Sequence, residues 1–166
     1  MGGHVDTYKE RHMGMAENFM KKNVNLAQAQ VPDPVLAAGI FQPAGSTGAA
    51  MAGGLVGAAL VSARSSKSKD GAPTFSRNTL IAVTSDRVYA FKTMNVLTRK
   101  VKGQIGSWPR ADLHCGVEEK ALVWSIALDW PDGASAKLES QRRGANAGNE
   151  TVVRMLSDAS MAHAGV

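Results

Sequence analysis

Between residues 78 and 140 turn signals cut the chain into short β-rich runs, a spacing that leaves room for strands but not for long helices. The runs cover residues 79–84, 88–92, 103–108, 113–118, 122–129 and 134–140, each five to eight residues long. Ser85-Asp86-Arg87, Pro109-Arg110, Glu119-Lys120 and Pro131-Asp132-Gly133 separate several of them, and such residues favour turns because they preset φ or bond their own backbone. An earlier apolar run, residues 35–41, lies between Pro34 and Pro43 and is read as the first strand. Leu122, Trp124, Ile126 and Leu128 alternate onto one face of the sixth strand; Ala136 and Leu138 do the same on the seventh.

Past residue 148 the period changes. Asn149 suits a helix cap and Glu150 suits the positive end of the helix dipole. Val152, Val153, Leu156 and Ala159 form an apolar stripe with Met155 at its edge. Seven short strands followed by one amphipathic helix predict a mainly β fold: a seven-stranded antiparallel barrel capped by a C-terminal helix.

Residues 5–28 read as an N-terminal helix with Asp6 as its cap. Tyr8, Met15 and Phe19, with His12 between them, share a narrow face suited to docking on the domain or to pairing with a second copy. Pro32 and Pro34 end the helical region, since each disfavours helical geometry in the residue before it. Two regions follow: an N-terminal helical extension, 1–34, and a β domain, 35–163, with a Gly/Ala-rich insertion at about 43–77. The β domain is expected to fold without residues 1–30.

Within the insertion, residues 44–63 carry no charge and contain a Gly53/Gly57 pair at helix-pairing spacing. Strongly apolar residues are few there. Packing on protein, surface insertion into a membrane, helix pairing and a membrane span all remain open.

Charge is uneven along the chain. Residues 43–110 hold ten basic groups and two acidic ones, whereas residues 111–166 hold five basic and eight acidic. A basic middle third implies an anionic partner, either a lipid surface or a nucleic acid. A single cysteine, Cys115, gives no internal disulfide, and the opening residues lack a basic stretch followed by an apolar run; both fit a cytoplasmic location.

Catalytic chemistry is not visible. His114 and Cys115 are neighbours on a strand and point to opposite faces, so they do not make a nucleophile–base pair. His4 and His12 lack metal-ligand spacing. No glycine-rich segment ends in the Lys-Ser/Thr of a phosphate loop. The chain is read as non-enzymatic, with no metal and no cofactor.

The segment from Leu80 through Thr84 and Arg87 to Phe91, an apolar strand, Thr-x-x-Arg and a second apolar strand, resembles the hairpin of bacterial pleckstrin-homology-like and GRAM-like domains. The strand ending in Trp108-Pro109 and the C-terminal helix resemble that family as well, over roughly residues 35–162. The connection between the first two strands is far longer than such hairpins need, and the basic residues depart from the paired pattern of phosphoinositide-binding members. The resemblance implies that the connections after strands one and three open at the same end of the fold. Arg64, Lys67, Lys69 and Arg77 would then meet Arg99, Lys100 and Lys102 on one rim facing an anionic surface. The functional expectation is an adaptor that binds a protein partner or the inner face of the plasma membrane. The alternative is a basic protein associated with nucleic acid or the ribosome. Tyr8, Met15 and Phe19 would serve a partner or a homo-oligomer.

Overall fold

A computed structural model of the chain describes residues 6–45, 75, 78–94, 100–131, 135–142, 146 and 148–161; before residue 14 and after residue 158 only the backbone is described. Helix α1 spans Asp6–Gln28. The strands are β1 (Ala37–Pro43), β2 (Thr79–Val83), β3 (Arg87–Thr93), β4 (Val101–Pro109), β5 (His114–Glu119), β6 (Val123–Asp129) and β7 (Ser135–Gln141). A 3-10 turn, Arg110–Asp112, joins β4 to β5, and helix α2 spans Asn149–Met161.

All neighbouring strands are antiparallel, in the order β4-β3-β2-β1-β7-β6-β5. The seven strands and both helices fall where the sequence places them; the closed barrel does not form. β4 and β5 stand at opposite edges of the sheet and do not pair. Between them Arg110 donates its backbone N–H to Asp86 at 2.7 Å, which turns the chain across the end of the β2–β3 hairpin before β5 can align with β4. The sheet bends at β1 instead. β1 pairs along five residues with β2 but through only Gln42 and Pro43 with β7.

The inner face of the bent sheet holds Phe41, Ile81, Val83, Val88, Ile126, Leu128 and Leu138, covered by Val152, Val153 and Leu156 of α2. Burying each large side chain of this kind stabilises the fold by roughly 1.5–3 kcal/mol before entropy is counted. Trp108 and Trp130 pack with centroids 4.6 Å apart, and Phe75, from the long β1–β2 connection, stacks on Trp130 at 5.7 Å. Gly106 makes room for this cluster: a Cβ there would sit 2.5 Å from Cη2 of Trp108.

β1, β2 and β3 are buried on their outer face too. Ala38, Ile40, Leu80, Ala82, Tyr89 and Phe91 form a second cluster with Ala27 and Val31, the end of α1 and its exit. Covering both faces explains why these strands read as unbroken apolar runs. The Gln28 side chain fixes the exit, donating to the carbonyls of Val31 and Asp33 and accepting from the Val35 N–H. Tyr89 donates its hydroxyl to Asp33 at 3.1 Å. Further back, Gly148 lets α1 pass the start of α2, since a Cβ there would meet Met20 Cβ at 3.0 Å. The docked face of α1 therefore runs through Ala16, Met20, Asn23 and Ala27, about a quarter turn from the stripe of Met15 and Phe19.

Asn149 does not cap α2 as the sequence suggests. It is the first helical residue, and its buried amide donates to the Ile40 carbonyl and the Ser140 hydroxyl, both at 2.7 Å. It thus bridges β1 and β7 where their own ladder is missing.

Candidate anionic-surface site

β1 leaves the sheet at Pro43 and β2 enters after Asn78; β3 leaves at Thr93 and β4 enters at Val101. Antiparallel pairing sets these four ends side by side. Asn78 ties them together. Its carbonyl accepts from the Thr93 N–H at 3.1 Å and the Thr93 hydroxyl at 2.8 Å, its amide donates to the Met94 carbonyl at 3.2 Å, and Gln42 donates to its side-chain oxygen at 3.5 Å. Across the second connection, the Met94 N–H donates to the Lys100 carbonyl at 3.0 Å.

Of the seven cations expected on this rim, Lys100 and Lys102 are described, and both are exposed. Arg64, Lys67, Lys69, Arg77 and Arg99 lie outside the described residues, as do residues 46–63 of the uncharged segment. Two further exposed lysines stand at the same end. Lys92 pairs with Thr79 and Gly103, and the Lys137 carbonyl accepts from Ala44 N–H, where β1 runs out, at 2.9 Å. Both sit inside strand runs, and only the pairing of those strands brings them to the site.

Two groups of cations stand out among the described strands and α2; Lys21 and Lys22 lie on α1, and Arg110 donates to the Met155 carbonyl. Lys120, Arg142 and Arg154 are ion-paired with Glu118, Glu119 and Glu150, on the side of β5, β6 and α2. Lys92, Lys100, Lys102 and Lys137 have no ion pair among the described residues. Arg87, in the Thr-x-x-Arg segment, is structural: its guanidinium holds the carbonyl and hydroxyl of Ser107 on β4, and Thr84 closes the turn by bonding the Arg87 backbone.

Among the described residues the tryptophans do not form an open stacking platform. Trp130 is 4% exposed, Trp108 packs on it, and Trp124 lies under the Arg142 guanidinium, 5.0 Å from the ring centroid. On α1, Met15 is exposed and Phe19 half-buried; the side chain of Tyr8 lies outside the described residues.

Burial, reinforced by the Asp129 carboxylate, pushes the Cys115 thiol up to about 12. A thiol that stays protonated is a poor nucleophile. Among the described residues no cluster of His, Cys, Asp or Glu could hold a metal ion, and no helix is long and apolar enough to cross a membrane. No family model matches the chain, and a search of curated proteins finds no match to it.

Proposed function

We propose that the chain is a non-enzymatic, pleckstrin-homology-like adaptor that attaches peripherally to the anionic face of a membrane through its basic end. The observation that carries this reading is the Asn78 node, which anchors both basic connections at one end of the sheet. The strand order, with a C-terminal helix across the bend, is compatible with the family resemblance. Cations near an anionic leaflet contribute about 1 kcal/mol each, so a handful suffices for reversible attachment.

The aromatic side chains favour a lipid surface over single-stranded nucleic acid. Nucleic-acid modules of that kind stack bases on open rings, and here the tryptophans are packed or covered.

Co-sedimentation with vesicles tests the reading. Binding is expected to phosphatidylcholine vesicles containing phosphatidylserine and not to pure phosphatidylcholine. It should fade as salt shortens the Debye length from about 10 Å at 0.1 M to about 3 Å at 1 M. Preference for an RNA or DNA oligomer at equal phosphate concentration would replace this reading with the nucleic-acid one.

A further inference from the structure

The stretch from Arg87 to Ala111, which holds β3 and β4, contains no acidic residue. At its centre Met94 is 46% exposed. Lys92 lies two residues before it, Lys100 is bonded to it backbone to backbone, and Lys102 follows two residues on. An exposed apolar side chain among unpaired cations matches the two layers of a bilayer surface, where phosphates attract the cations and the acyl boundary takes the apolar group.

The shape of β4 argues against an added peptide strand as the occupant of this edge. Ala90 pairs with Gly106 and Phe91 with Gln104; Lys92 pairs with Gly103 and Thr93 with Val101. Ile105 and Lys102 are therefore bulged out of the ladder. A strand adding to the edge needs regular hydrogen-bonding groups, and two bulges within four residues interrupt them.

We infer that Met94 enters the headgroup layer of an anionic bilayer, with Lys92 joining Lys100 and Lys102 as a phosphate-contacting group. This rests on the proposed membrane attachment and adds to it a specific point of entry. Lys137 is excluded from the contact although equally unpaired. On the same face of β7 it is followed by Glu139, and Asp129 lies on the neighbouring strand, so the local potential is offset.

The test uses the full chain with phosphatidylserine-containing vesicles and, in parallel, an RNA oligomer at equal phosphate concentration. Lys92→Gln should weaken vesicle binding about fivefold, the worth of one cation near the leaflet, and Lys92→Arg should restore it. Met94→Ser should weaken vesicle binding about threefold or more through lost apolar burial, leaving any residual oligomer binding unchanged. Lys137→Gln should bind as wild type. If wild type binds vesicles while Lys92→Gln and Met94→Ser bind equally well, the entry point is wrong and the attachment itself stands. Equal losses toward vesicles and oligomer on Met94→Ser also overturn it. Failure of wild type to bind anionic vesicles at low salt removes both the attachment and the entry point. Thermal unfolding of each variant, expected to match wild type at these exposed positions, excludes misfolding as the cause.

Discussion

Asn149 occupies the space that a side chain on Gly39 would need. A Cβ built at Gly39 lies 2.7 Å from Cγ of Asn149, and from there the amide reaches the Ile40 carbonyl and the Ser140 hydroxyl. The pair joins the two halves of the bent sheet to the start of α2.

This contact predicts a measurable coupling. Asn149→Ala should cost about 1–3 kcal/mol, because it leaves the buried Ile40 carbonyl without a donor. Gly39→Ala should cost about 1–3 kcal/mol through overpacking. In the double variant the clash disappears, so its loss in urea unfolding should be smaller than the sum of the two single losses. Strict additivity would show that the two residues do not press on one another.

Leu156→Ala removes a side chain buried at the centre of the α2 stripe and should destabilise the fold by about 2–5 kcal/mol. A change below about 0.5 kcal/mol would mean that α2 is peripheral to the core.

Gly14 sits inside α1 with nothing within 4 Å of where a Cβ would go. Gly14→Ala should therefore raise helicity and stabilise the chain by roughly 0.5–1 kcal/mol, since alanine fits the helix and restricts the unfolded chain. Circular dichroism and thermal melting read both effects. A lower melting temperature would show that α1 depends on the missing side chain at that position.

Deleting residues 1–30 should now be expected to damage the fold, contrary to the sequence-based expectation. Ala27 would go, and with it the helix that covers Ile40, Leu80 and Phe91 on the outer face. The truncated chain should melt lower and bind a hydrophobic dye that the full chain excludes. An unchanged melting curve without dye binding would mean that the outer cluster is dispensable.

Cys115 gives a pH signature. Its folded-state pKa is raised from 9.0 to about 12 by burial and by the Asp129 charge. The stability linked to keeping it protonated is present below pH 9 and is lost as pH rises toward about 12. Cys115→Ser should flatten the fall in stability across that window. In the folded protein, alkylation by iodoacetamide should be far slower than in denaturant.

The strands were legible because turn residues and apolar runs mark them locally. Arg87, Trp108-Pro109 and Glu119 stand at the ends of β3, β4 and β5, near the boundaries read from sequence. What could not be read depends on contacts distant in sequence. Asn149 looks like a cap because its short amide suits one, and only the position of Ile40, more than a hundred residues earlier, gives it another task. The docked face of α1 escaped notice because Asn23 and Ala16 dilute it, whereas Tyr8, Met15 and Phe19 are individually more apolar. At the candidate site, Lys100 and Lys102 stood out in a basic cluster. Lys92 did not, because its neighbours Phe91 and Thr93 mark a strand and hide the fact that the strand ends there.

The place of β1 in the sheet sets an order for synthesis. It leaves the ribosome early, and β2, β3 and β4 can pair onto it in turn. Its remaining neighbour, β7, and the amide of Asn149 follow only after the other six strands have been made. Until then the inner face of the nascent hairpins, with Phe41, Ile81 and Val88, has no α2 to cover it. A ribosome stalled before residue 149 is therefore expected to carry chaperones that hold exposed apolar strands, and their absence from such a complex would show that the uncovered face needs none.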